Sequence, residues 1–195
     1  MKFATIVLAS VVAATAAIDQ PMVESPVVWE VEAFKDGPTL KLEGTIQEVH
    51  KQLVEINHNY DTDFNLGAAS DKAARDLSKR TDFSHSHTIC GNFPGTTVDH
   101  LGQGISYLRG VGGRPSMGGR GTCGRVSCSY NTAIWWCNDD AGVKTLASFG
   151  SIADGAQWVW NKCAGRLDKG LAQGQVSGQA FHPTNWNVIV RKDKC

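Results

Sequence analysis

All six cysteines of this 195-residue chain lie from Cys90 onward, and none lies between Ala17 and Ile89. That distribution constrains the fold more than any other feature. Met1 to Ala17 reads as a secretory signal: Lys2 gives the positive start, Phe3 to Val12 is mostly apolar, and Ala14-Thr15-Ala16 fits a signal-peptidase site. The apolar run is well short of the roughly 20 residues that span a bilayer, so a membrane anchor is the weaker reading. The secretory route is oxidising, and an even cysteine count there reads as a disulfide set of Cys90, Cys123, Cys128, Cys137, Cys163 and Cys195 with no thiol left over.

Charge divides where the cysteines begin. Ile18 to Arg80 carries twelve acidic and seven basic side chains, a net of −5; Thr81 to Cys195 carries seven and eleven, a net of +4. Lys79-Arg80 stands at the boundary, in a polar run from Asn65. Dibasic pairs are common on surfaces. Here the order is signal, acidic cysteine-free segment, Lys-Arg, cysteine-rich region, which is the layout of a precursor cut by a kexin-type protease. The expected organisation is a signal over 1–17, an acidic pro-segment over 18–80 and a mature domain over 81–195.

Within the acidic segment, Val27–Lys35 and Thr39–Leu42 read as strands around the turn signal Asp36-Gly37-Pro38. Thr45-Ile-Gln-Glu48 is a capping box, and Ile46, Val49, Leu53 and Ile56 follow at helical spacing. This segment has two readings: a partner for the basic domain during folding, or a solubilising spacer. Beyond Thr81, Thr96-Thr-Val-Asp99 is a second capping pattern, opening a helix with Val98, Leu101, Ile105 and Leu108 on one face. A glycine-rich loop from Gly110 to Gly121 follows. Gly124–Tyr130 alternates, placing Val126, Cys128 and Tyr130 on one face and Arg125, Ser127 and Ser129 on the other. Asn131-Thr132 then turns the chain into the apolar strand Ala133–Cys137. Leu146–Cys163 has a continuous apolar helical face, and Gln175–Phe181 with Asn185–Val190 form a closing hairpin. The expected fold is α+β: two helices packed on a mainly antiparallel sheet, stabilised by disulfides.

Six cysteines allow fifteen pairings. Cys123 and Cys128 are five apart, so a continuous strand turns them to opposite faces. Cys163 ends the buried helical face and Cys128 lies among inward residues, which favours a Cys128–Cys163 bridge. Hydrolase motifs are absent: no Gly-x-Ser-x-Gly occurs, and the region after Thr81 has no glutamate, so an acid–base carboxylate pair would have to come from its seven aspartates. Asp139-Asp140 reads as a solvated turn. His85, His87 and His100 fall short of a zinc set, so no metal or cofactor is expected. Arg114 and Arg120 in the glycine-rich loop, which otherwise reads as a mobile solvated loop, are joined by Arg125 and Trp135 as the candidate binding surface. Trp135, Trp136, Trp158, Trp160 and Trp186 are many for this length, and in an amphipathic element at most one of an adjacent pair is deeply buried.

Cys90-Gly-Asn-Phe-Pro, Gly-Ile-Ser-Tyr-Leu-Arg109, Gly-Thr-Cys-Gly-Arg-Val-Ser-Cys-Ser-Tyr130, Ala-Ile-Trp-Trp-Cys-Asn-Asp139, Ile-Ala-Asp-Gly155 and Asn-Trp-Asn-Val-Ile-Val190 resemble small cysteine-rich secreted effector candidates of filamentous ascomycetes. The layout is more distantly similar to necrosis-inducing extracellular effectors and to the killer toxin of smut-fungus viruses. The resemblance implies an extracellular effector or toxin with an α/β-sandwich fold, and it offers no established catalytic residues to carry over. The expected function is binding of a host or competitor surface component, with an anionic partner suited to the basic domain. A membrane- or channel-perturbing toxin and an extracellular hydrolase are the alternatives.

Overall fold

The computed structural model of the protein describes residues 23–66 and 80–195. The expected signal and Lys79 lie outside them. The acidic segment supplies β1 (Val23–Glu24), β2 (Val28–Glu32) and β3 (Thr39–Glu43), then helices α1 (Ile46–Ile56) and α2 (Tyr60–Asp63). β2 and β3 pair antiparallel across the expected turn, where Asp36 takes a left-handed φ of 58°. The Thr45 capping box closes in both directions: Glu48 N–H donates to the threonine hydroxyl, and Thr45 N–H donates to Glu48 Oε2 at 2.7 Å. The Thr45 amide and, at 2.9 Å, the Thr45 hydroxyl both donate to Glu48 Oε2 and hold the Glu48 carboxyl below its ordinary pKa.

The cysteine-bearing part runs β4 (His87–Cys90), β5 (Thr96–Thr97), α3 (Val98–Gly110), β6 (Arg114–Met117), β7 (Thr122–Ser129), β8 (Thr132–Asn138), β9 (Lys144–Thr145), α4 (Phe149–Cys163), β10 (Gln175–Val176), β11 (Gly178–His182) and β12 (Trp186–Lys192). Three sheets result. The main one has the order β1-β7-β8-β12-β11-β4, antiparallel except for the β1–β7 pair. A second has the order β3-β2-β6-β9, and β10 pairs with β5. The mixed class and the disulfides match the expectation. The simple picture of two helices on one sheet does not: the described residues carry four helices, and strands dominate. The difference lies in the acidic segment. Its strand β2 pairs with β6, setting Val28 opposite Ser116 and Glu30 opposite Arg114.

One core joins both parts. α3 and α4 cover the inner face of the main sheet, and α1 lies beside β7. Trp29 is fully buried with its ring stacked on Phe149, centroids 3.6 Å apart. Val27, Val31, Ile46, Val49 and Leu53 share that cluster with Leu101, Ile152 and Val188. Gln47 of α1 donates to the Ser127 hydroxyl and accepts from the Cys128 amide. Close approach also sets sequence: a Cβ on Gly155 of α4 would stand 2.6 Å from Val188 and 2.7 Å from Phe83.

The disulfides are Cys90–Cys163, Cys123–Cys137 and Cys128–Cys195. The Cys128–Cys163 expectation is therefore corrected, and a bulge is the reason. Arg125 faces Trp135 and Ser127 faces Ile134, leaving Val126 as the extra residue. The bulge shifts strand parity by one. Cys128 thereby joins Cys123 on the outer face rather than Val126 on the inner one. Cys163 does sit on the buried helical face, but it meets β4 through Cys90. The hairpin turn is Tyr130-Asn131, both at positive φ (48° and 59°), so Tyr130 leaves the strand and is exposed.

Candidate functional site

The outer face of the main sheet is where the bulge has its chemical consequence. Cys123 stands directly opposite Cys137, and Cys128 ties the strand to Cys195 at the end of the tail. Between these bridges, Arg125 of β7 lies opposite Trp135 of β8, which lies opposite Ile189 of β12. Arg191 follows two residues later on the same face of β12. The guanidinium carbons of Arg125 and Arg191 each lie 5.9 Å from the Trp135 ring centroid, and that of Arg191 lies 5.6 Å from Phe93. The result is a layer of two aromatic rings and two fixed cations.

The surrounding tail holds this layer in place. Arg125 Nη1 donates to the Lys194 carbonyl at 2.8 Å, and Trp135 Nε1 donates to Asp193 Oδ2 at 3.1 Å. Asp193 Oδ2 also stands 3.4 Å from Arg191 Nε, an ion pair without hydrogen-bond geometry. Asp193 Oδ1 accepts from the Lys194 amide. Asp193 thus pairs with Arg191, and the Glu48 carboxylate of α1 acts on Arg125. The Nε atoms of both arginines are buried and carry no hydrogen bond, which leaves the remaining donors at the guanidinium ends.

The four residues expected to form one binding surface separate. Arg125 and Trp135 come together; Arg114 and Arg120 lie elsewhere. Arg114 opens β6 in the second sheet, where Pro115 and Met117 are buried. Arg120 is exposed in the turn before β7, and its charge contributes to keeping Asp140 ionised. The larger contribution there is the Lys144 side chain on the same carboxylate, followed by Asn185. The glycine-rich stretch is therefore a strand and an anchored turn. Asn138 Nδ2 donates to the Gly118 carbonyl, and the Thr122 hydroxyl bonds Gly118 and Gly119.

Trp135 is itself only 6% exposed, although its neighbour Trp136 is fully buried. The one-buried-per-pair rule fails because both faces of β8 are covered, one by helices and the other by tail, disulfides and arginines. Phe93, Arg191 and Asp193 were not legible as site residues. The inward Val188 and Val190 would have placed Arg191 outward, but only the β8–β12 register brings it to Trp135.

The remaining candidates are bound into local structure. His100 stacks on Tyr130 and bonds Thr97, while His87 packs near Phe181. Among the described residues no group of three His, Cys, Asp or Glu is placed to hold a metal. Asp139 accepts from Asn187 and Asp140 pairs with Lys144. No helix of the described residues is long and apolar enough to cross a membrane. No protein-family model, no curated protein and no solved structure matches the chain.

Proposed function

We propose that the protein is a secreted, effector-like binder that recognises an anionic component of a host or competitor surface. The observation that carries this reading is the outer-face layer, in which Arg125 and Arg191 are laid over Trp135 and braced by the disulfide-anchored tail. Guanidiniums fixed before binding lose little side-chain entropy on meeting a partner. They also present paired donors suited to sulfate, phosphate or carboxylate groups. The excess of basic side chains after Thr81 adds long-range attraction. Secretion rests on the Met1–Ala17 sequence pattern and is consistent with three disulfides.

The test uses purified secreted protein on a heparin matrix and on cell-wall preparations. Retention at low salt that falls steeply as salt is added supports the proposal, because exposed charge contacts are screened within about 10 Å at 0.1 M. Ion leakage from treated cells without such retention would favour the toxin reading. Release of product from RNA or cell-wall glycans would favour a hydrolase.

A further inference from the structure

The bond between Arg80 and Thr81 has a receptor for its cleavage product already built. Arg80 is exposed in irregular backbone. One residue on, the Thr81 amide nitrogen donates to Asp154 Oδ2 at 2.9 Å. The other oxygen of that carboxylate accepts from Arg109 Nη2 at 3.0 Å. Asp154 comes from α4 and Arg109 from α3, and their side chains are only 11% and 22% exposed. Together with Thr81 and Trp158 they line a cleft of about 300 Å³. The next residues are fixed as well. Asp82 accepts from the amide and hydroxyl of Ser84, and Phe83 is buried against His182 and Trp186.

Upstream, the described residues 23–66 are fixed just as firmly, by different means. β2 hydrogen-bonds to β6, β1 to β7, and Trp29 stacks on Phe149 in the common core. A Cβ on Gly113 would stand 2.3 Å from the Glu30 carbonyl oxygen, so the two backbones meet without room between them. No cysteine lies upstream, so none of the three disulfides ties this part to the rest.

We propose that Arg80–Thr81 is a processing site whose product is a two-chain protein. The upstream chain stays docked, and the new Thr81 α-ammonium forms an ion pair with Asp154. In the cut, a dibasic-specific protease of the secretory route adds water across the peptide bond. The Arg80 carbonyl carbon gains the hydroxyl and ends as a carboxylate. The Thr81 nitrogen keeps the electron pair of the broken C–N bond, takes up protons, and is an ammonium below its pKa of about 8. An uncharged N–H donor to a shielded carboxylate becomes a charged one, a stronger contact of the same geometry. Processing then strengthens the joint instead of shedding a pro-segment. This proposal is independent of the outer-face binding reading.

The test takes the full secreted chain and a kexin-type protease, with an Arg80→Ala chain as the uncut control. The expected product is a single cut that gives Thr81 as a new N-terminus. Its two chains co-elute in gel filtration and separate on denaturing electrophoresis without reductant. Asp154→Asn is expected to lower the melting temperature several degrees more in the cut form than in the uncut one. Should that variant not fold, amine labelling of the cut wild type serves instead: the Thr81 amine should react several-fold more slowly in native than in denatured protein. Release of the upstream chain in native buffer would overturn the proposal. So would failure to cut at Arg80, equal destabilisation of both forms, or a Thr81 amine labelled at its unfolded rate.

Discussion

The two faces of the six-stranded sheet are held by different chemistry. On the inner face Trp136, Val188 and Val190 are fully buried with Phe149, Ile152 and Val159 beneath α3 and α4. On the outer face no helix of the described residues packs over the strands. Cys123–Cys137, Cys128–Cys195 and the Phe93–Arg191–Trp135–Arg125 layer cover it instead. Apolar burial makes the inner face indifferent to salt and intolerant of lost volume. Covalent ties relieve the outer face of that requirement, so cations can lie over its aromatic rings and face solvent. The face that contributes least to the hydrophobic core is the one on which the proposed recognition is placed.

Truncating the inner face gives the largest expected loss. Trp136→Ala should cost about 3–5 kcal/mol, the range for removing a large buried aromatic. Trp136→Phe should cost much less, because the buried Trp136 Nε1 has no hydrogen-bond partner to lose. Denaturant melts of the two variants measure this, and equal losses would break the apolar account of that face. On the outer face, replacing Cys128 and Cys195 together by Ala opens a closure spanning 67 residues. The chain-entropy model gives about 4 kcal/mol for it, and a loss of 2–4 kcal/mol is expected. A negligible loss would mean that the tail is held without the bridge. Arg191→Gln should cost about 0.5–2 kcal/mol, the scale of a partly desolvated cation over an aromatic ring.

The smallest effect concerns pH at the edge of the inner face. His182 stacks on Trp186 with ring centroids 4.8 Å apart. Burial holds its imidazole pKa below the ordinary value, with Asp82 opposing that shift. A depressed histidine contributes stability that is complete above its unfolded pKa, near 6.5, and is lost as pH falls through its lower folded value. Thermal melts from pH 7 down to pH 5 should therefore decline less in His182→Gln than in wild type. Identical declines would remove the histidine from the acid response.

The sequence made the short-range part of this structure legible. Helical spacing located α1 and α3 closely, and the start of the α4 apolar face ran only three residues ahead of the helix. The Thr45–Glu48 box formed as its pattern implies. The Thr96–Asp99 box did not, because the Thr96 hydroxyl bonds that of Thr132 in the main sheet and the helix is capped at Thr97 without a side-chain bond. What stayed hidden depends on pairing between distant strands. One bulge residue, Val126, moved Cys128 to the other face and changed its partner. The β2–β6 ladder drew the acidic segment into the core, although nothing local in Val28–Glu32 names Arg114–Met117 as its neighbour. The candidate surface was half legible for the same reason: Arg125 and Trp135 lie on adjoining strands, whereas Arg191 and Phe93 reach them only through the finished sheet.

The central claim is that recognition belongs to the outer face and not to net positive charge. Two double variants remove the same two charges from different places: Arg125→Gln with Arg191→Gln, and Arg114→Gln with Arg120→Gln. The decisive measurement is the salt concentration at which each elutes from heparin, beside wild type, with melting curves to confirm folding. The account predicts a large drop for the outer-face pair and a small one for the other. Equal drops, or a larger drop for Arg114 and Arg120, would contradict it.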